Sequence, residues 1–479
     1  MKAIARSAMR ENNLEPDFPA AAGDEVRALE RQGVVQDARI RDLRNLLWCS
    51  IDNDDSRDLD QLTVAESLTA GTRVLVAVAD VDAFVHRAGA IDAHAHHNTT
   101  SVYTAAQIFP MLPERLSTDL TSLNPDQERL AIVIDMHIGA TGELISSDVY
   151  RARVHSKAKL AYNSVAAWLD GDAPIPERVR SVAGLDAQLR TQNAVAESMR
   201  SRRRANGALN FETAQSRPVF KDESLTDMRA DEENTAKELI EDFMVAANGV
   251  IARFLADRNR PALRRVLRSP ERWQRIVALA AEQGGQLPRE PNAAALSEFL
   301  EARRQANPMH FADLSLAIIK LLGAGEYAVH LPNSPSTGHF GLAVNEYTHA
   351  TAPNRRLPDL ITQRLVKAAM IDAPAPYSVE ELESLAAHCN EQQRNATKVE
   401  RRVRKAATAL LLASRIGQHF RAVVTGASAK GTWVRIERPL AEGKVIRGFE
   451  GLDVGDRISV ELLAVDPERG FIDFAAARG

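Results

Sequence analysis

Apolar positions along this chain fall into three regimes. Between about 46 and 170 they form short β-branched runs. RVLVAVADV (73–81) and LAIVIDMHI (130–138) have strand length, and the second leads into GATGEL (139–144), which reads as a hairpin turn. Between about 232 and 420 the spacing becomes helical. In ENTAKELIEDFMVAANGVIARFLADR the apolar residues Leu239, Ile240, Phe243, Met244, Ala247, Val250, Ile251 and Phe254 recur at helical intervals. A further helical tract covers residues 379–420, and its middle, EQQRNATKVERRVRKAA, is strongly basic; a solvated face with i,i+4 pairs is its simplest reading. The end of the chain returns to strands. FRAVVTGASAKGTWVRI, KVIRGFEGL, DRISVELLAVD and GFIDFAAA, separated by Gly, Asp and Pro, make about five strands of a small oligonucleotide-binding barrel.

The pattern predicts an α+β chain in three parts. Residues 1–45, with a helix around 23–32, are too short for their own core. Residues 46–418 mix sheet and helices, and residues 419–479 form the five-stranded barrel. Composition adds little: 479 residues, 45% hydrophobic and 26% charged, describe an ordinary globular protein. The chain lacks an apolar run long enough to span a membrane, and its N-terminus lacks the apolar stretch of a secretory signal. Cys49 and Cys389 are too few for a disulfide framework or a zinc site, so a reduced, cytoplasmic protein is expected. A net charge of -4 argues against nonspecific coating of nucleic acid but allows a positively lined channel inside an acidic shell.

The stretch SIDNDDSRDLDQL (50–62) changes the picture. Asp52, Asp54, Asp55, Asp58 and Asp60 crowd between Ile51, Leu59 and Leu62, as in a buried segment. Mg²⁺ takes carboxylate oxygens, keeps waters and shares its shell with substrate phosphate. In an extended backbone Asp52, Asp58 and Asp60 share one face, although NDDS (53–56) has turn character that leaves the parity firm only for the last two. By itself the cluster reads as a solvated turn or as a metal site.

Its neighbours decide between these. The pattern D-x5-D-x-D-[DQ] resembles the signature of the ribonuclease II and ribonuclease R (RNB) exoribonucleases. VAVADVDAFVHRAGAIDAHAHHNTTSVY, HSKAKLAYNSV, NGALNF, KELIEDFMVAAN and HFGLAVNEYTHATAPNRRLPDLITQRLVKA extend the likeness in the family's order over residues 46–479. The resemblance implies an RNB catalytic domain around an RNA channel, then an OB-fold barrel. It implies a 3′→5′ hydrolase of single-stranded RNA that releases nucleoside 5′-monophosphates with Mg²⁺, or Mn²⁺ in its place. On that mapping Asp52, Asp58 and Asp60 are metal-site aspartates. Asp58, Asp60, Gln61 and Arg355 form the catalytic set, with Arg355 close to the scissile phosphate. Arg356 is a second phosphate contact or a structural residue. Tyr103 and Phe211 match the aromatic clamp on the last nucleotides, and Tyr162 and Glu241 match further substrate contacts; read without the resemblance, Phe211 and Tyr162 are core residues. Stacking suits an enzyme that must accept every base. The expected partner is the 3′ end of single-stranded RNA, with no membrane, and the expected state is a monomer.

Three departures stand out. Gln61 occupies the place of a fourth aspartate; its carbonyl can face a metal or a water, but it cannot act as a base. Asp54 or Asp55 can substitute if the turn swings inward. The N-terminal segment is too short for the cold-shock barrels of large members, which predicts weaker selection against structured 3′ ends. Leu357 replaces a family tyrosine. In the barrel Lys430, Trp433, Arg435 and Phe449 are RNA-binding candidates, Trp433 either stacking on a base or capping the core. HAHH (94–97) suggests a metal site only superficially and reads as a polar helix or loop; His339 and His349 line the channel or pack beside it. The runner-up function is an RNA-binding or regulatory protein whose site is impaired at Gln61. A DNA exonuclease on the same fold is a third reading, because no residue identifies the contact to a 2′-hydroxyl.

Overall fold

In the strand Thr72–Ala79 every residue from Val74 onward is buried, so both faces of this strand are covered and it belongs inside a sheet. The computed structural model describes residues 1–29, 37–212, 216–221, 224–230, 233–335, 337–428, 431–436, 438–453 and 455–477. Its main sheet has seven strands. In spatial order they are Arg41–Asp42, Leu144–His155, Glu128–Ile138, Thr72–Ala79, Gln61–Ser67, Cys49–Asp52 and Ala158–Ala161. The four central pairings are antiparallel and the two outermost are parallel, so the sheet is mixed. The 139–144 turn forms as expected. Gly139 N–H donates to the Glu143 carbonyl at 2.8 Å, and Gly142 takes a φ of 79° where a Cβ would strike the Ser198 carbonyl.

Two helices hold the sheet to the rest of the chain. Thr235–Asp257 is capped by Asn234, whose side chain accepts from Lys237 N–H, and it packs on the sheet with Leu239, Ile240, Phe243, Val250 and Ile251 in the main core. Leu357–Met370 is buried along most of its length. Its Gln363 Nε2 donates to the Ala79 carbonyl at 2.8 Å, and Lys367 Nζ pairs with the fully buried Asp80 carboxylate at 2.9 Å. This helix therefore fixes whatever precedes it in the chain to the end of a central strand.

The 34-residue helix Val379–Leu412 starts at a capping box between Ser378 and Glu381. It stops eight residues short of the expected 420, because His419 and Phe420 are already in the first barrel strand, His419–Ser428. One side of this helix receives the N-terminal helix Lys2–Glu11, with Ala5, Ala8 and Met9 against Ala396, Val399, Val403 and Ala407. The first residues thus borrow a core rather than build one. Of the helix expected at 23–32, Ala20–Leu29 is seen and the remainder lies outside the described residues.

The barrel closes in the order His419–Ser428, Gly431–Ile436, Ala441–Arg447, Phe471–Ala476, Arg457–Asp466. Ala409 and Leu412 of the long helix belong to its core. Arg435 Nη2 meets Asp313 on helix Pro308–Leu322 at 2.6 Å, which seats the barrel on the preceding mixed domain. Among the described residues no helix is long and apolar enough to cross a membrane.

Candidate active site

The acidic stretch is not one strand. Cys49–Asp52 ends at Asp52, a turn follows in which Ser56 N–H donates to the Asn53 carbonyl at 3.1 Å, and the next strand begins only at Gln61. The parity expected of Asp58 and Asp60 does not apply, since neither lies in a strand. Asp58 is half-buried, Leu59 and Asp60 are buried, and the polypeptide is set by Ser122 Oγ, which accepts from Leu59 N–H and donates to the Arg57 carbonyl. The turn is also pinned from outside: Lys159 Nζ donates to the Asp54 and Ser56 carbonyls. Asp54 and Asp55 point into solvent, so the inward swing that would replace a fourth carboxylate is not the arrangement seen.

Asp60, 2% exposed, is met by a loop from far downstream. Its Oδ1 accepts Asn354 N–H at 3.0 Å, and its Oδ2 faces Arg355 Nε at 3.3 Å across 295 residues of sequence. Arg355 remains 44% exposed at its side chain, so its guanidinium reaches past Asp60 toward solvent. Further contacts hold the loop. The Arg355 carbonyl accepts from Ser101 N–H at 3.0 Å, and Arg356 Nη2 pairs with the buried Asp359 at 2.7 Å, whose Oδ1 also accepts Ala352 N–H. Arg356 therefore serves the loop's shape, which supports the structural side of its two readings.

Electrostatics mark this spot as short of positive charge. Burial pushes the Asp60 carboxyl up to about 7; Arg355 pulls it down, and Asp58 pushes it further up. Asp52 is raised by burial too, against the bonds its Oδ1 accepts from Ser56 Oγ and Asn53 N–H, both at 2.7 Å, and it is raised again by Asp58. Tyr103 closes one side. It is 40% exposed, and its hydroxyl donates to Asp58 Oδ2 at 2.9 Å. Tyr162, first residue of helix Tyr162–Leu169, lies within electrostatic range of Asp52 and Arg355. Gln61 opens its strand half-buried, paired with Val78.

Other candidates have neighbours of their own. Phe211 packs, half-buried, against the satellite core of Trp273, Ile276, Phe299 and Phe311. Glu241 lines a recess together with Arg200, Arg203, Arg204, Leu209 and Asn210, where burial raises its carboxyl above the usual range. Trp433 sits half-buried between the core residues Thr432 and Val434, on the outer face of the barrel with Lys444 Nζ 5.9 Å from its ring; it does not cap the core. Phe449 is exposed, Arg435 is spent on Asp313, and Lys430 lies outside the described residues. The HAHH segment is the helix Ala90–Asn98; His94 is buried against Phe18 and His96 stacks on His388. His349 is half-buried, its Nδ1 2.8 Å from Tyr327 Oη, and His339 faces the Tyr347 ring. Two residues escaped the sequence reading. Asn354 presents Asp60 with its amide while its own side chain takes Thr121 Oγ1, and Glu400 accepts Tyr103 N–H at 3.0 Å. A lone acid inside the basic ERRVRK run was the one visible sign of the latter.

Among the described residues no three His, Cys, Asp or Glu side chains converge as a ready cage for a metal ion. Mg²⁺ does not require one, because it is held by one or two carboxylates completed by water and substrate phosphate. Oxygen donors alone, with Asp52 and Asp60 both raised by burial and by Asp58, fit a hard divalent cation.

The chain belongs to the RNB domain family, which matches residues 40–372; an RNase II-type exonuclease C-terminal S1 domain matches residues 418–477. Among individual relatives, it is 29% identical to Ribonuclease R of Escherichia coli (strain K12) over 510 aligned residues, covering 98% of this chain and 61% of that protein. It thus spans about three fifths of that relative's length. Mycoplasma genitalium RNase R, solved in complex with ribose methylated single-stranded RNA, superposes with a TM-score of 0.87 at 22% identity over 99% of this chain and 77% of the other. Yeast Ssd1, a pseudonuclease, shares the fold at a TM-score of 0.72 and 16% identity, over 96% and 57% of the two chains.

Proposed function

We propose that this protein is an exoribonuclease that hydrolyses single-stranded RNA from its 3′ end, releasing nucleoside 5′-monophosphates with Mg²⁺. One observation carries the reading: a buried, cation-hungry carboxylate, Asp60, lies beside Arg355, which keeps its guanidinium accessible. Asp52, Asp58 and Asp60 would hold the divalent cation. When bound, it would supply positive charge to the phosphate and lower the pKa of an attacking water. Arg355 neutralises charge that develops on the phosphoryl oxygens, and its contact with Asp60 orients it for that task. Tyr103, exposed beside Asp58, offers a ring for the terminal base whatever its identity. Belonging to the RNB family and resembling an RNase R solved with single-stranded RNA both support RNA as the substrate.

The test is a 5′-labelled oligo-RNA and oligo-DNA incubated with Mg²⁺, Mn²⁺ or EDTA. A shortening ladder on RNA, abolished by EDTA and by Asp60→Asn, is expected. Gln61 favours one competing reading, a binding protein on the same fold. RNA binding without shortening under either metal would establish that alternative and reject the hydrolase.

A further inference from the structure

Four cations of the long helix, Arg394, Lys398, Arg401 and Lys405, are exposed and follow one another at steps of four, three and four residues. That spacing sets them on one face over roughly 16 Å of helix. A charged stripe is ordinarily a solvated face stabilised by acidic partners one turn away. Here the partners are missing from most of its length. Among the described residues Arg394, Lys398 and Arg401 form no ion pair, whereas Arg402 on the neighbouring face pairs with Glu11. Glu391, a turn before Arg394, and Glu442 of the barrel, beside Lys405, mark the two ends. Like charges at these spacings destabilise an isolated helix, so folding gives no reason for the arrangement and a polyanion does.

We infer that this face is a track for the sugar-phosphate backbone of single-stranded RNA lying outside the reaction centre. The inference rests on the RNA-degrading reading above. The stripe passes Glu400, which holds Tyr103, between Lys398 and Arg401, and ends where Gly470 of the barrel abuts Lys405. The next residue, Phe471, is 56% exposed, an aromatic surface at the end of a basic run.

The test compares wild type with Arg394→Gln/Lys398→Gln/Arg401→Gln. It reads fluorescence anisotropy in EDTA over a salt series, with uridine oligomers of about 30 and about 6 nucleotides, longer and shorter than a typical single-strand site. The longer oligomer should bind roughly tenfold more weakly to the variant, with a salt slope shallower by about 2, three cations at ~0.7 each. Binding of the short oligomer, and its hydrolysis in Mg²⁺, should not change. Replacement by Lys, Arg and Lys at the three positions should restore the longer oligomer's affinity. Unaltered affinity and slope in the glutamine variant would overturn the track. If both oligomers bind as described and neither is shortened, the hydrolase reading fails while the track stands.

Discussion

At the scale of single residues, Asp60 sets function against stability. In metal-free protein its carboxyl titrates near 7, against about 4 in an unfolded chain. Below pH 4 both states carry the proton. From about 4 to 7 the folded state keeps a proton that the unfolded state has released, so stability falls with rising pH across that window and levels off above it. Asp60→Asn should flatten this slope and melt a few degrees above wild type at pH 7.5, while losing hydrolysis by about a hundredfold or more. Calorimetry in EDTA at several pH values reads the first effect; parallel curves for the two proteins would contradict it. Gln61 predicts the opposite kind of change. Gln61→Asp adds an anion beside Asp60 and should lower the Mg²⁺ concentration needed for half-maximal hydrolysis several-fold, measured as a metal titration at fixed RNA. The aspartates and Arg355 were legible because each sits in a local run of letters. Asn354 and Glu400 were not, because their roles depend on partners hundreds of residues away.

Elements that bury both faces announced themselves. The strands Thr72–Ala79 and Glu128–Ile138 coincide with the β-branched runs, and the helix Thr235–Asp257 with its apolar periodicity. The segment carrying Asp58 and Asp60 did not, because its extended look reflects anchoring by Ser122 rather than a ladder. Loop 351–356 depends in the same way on its neighbour. Asp359 compensates Arg356 and accepts Ala352 N–H. Asp359→Ala would leave a mostly buried guanidinium unpaired and should destabilise the fold by about 3 kcal/mol. It should also slow hydrolysis by displacing Arg355, even under conditions where the variant remains folded. Urea unfolding followed by rate measurement on the folded fraction separates the two effects. Loss of stability with a normal rate would show that Ser101 and Asp60 hold Arg355 without Asp359.

For the whole molecule, the sequence reported the division into mixed domain and barrel but not how they are joined. Arg435, read as an RNA contact, serves the seam through Asp313. Removing residues 419–479 should raise the RNA concentration for half-maximal rate by tenfold or so and lower the maximal rate much less, since the acidic cluster and Arg355 lie entirely outside the barrel. Steady-state kinetics on a long oligomer checks this, and an equal fall in both constants would move the barrel into the chemistry. The basic tract was legible as a helix; that its exposed face lacks acidic partners was not, because the pairs a sequence suggests depend on which residues turn outward.

The helix Val379–Leu412 touches the N-terminal helix and the Tyr103 segment side by side between Ala396 and Ala407, then the barrel core at Ala409 and Leu412. A rigid rod that serves three clients is also a protractor. Each residue advances it by about 100°, so inserting one alanine between Ala407 and Ala409 would swing the barrel by about a quarter-turn about the rod and draw Arg435 away from Asp313 while leaving the packing of the N-terminal helix in place. Length, in that interval, is as much a part of the specification as any side chain.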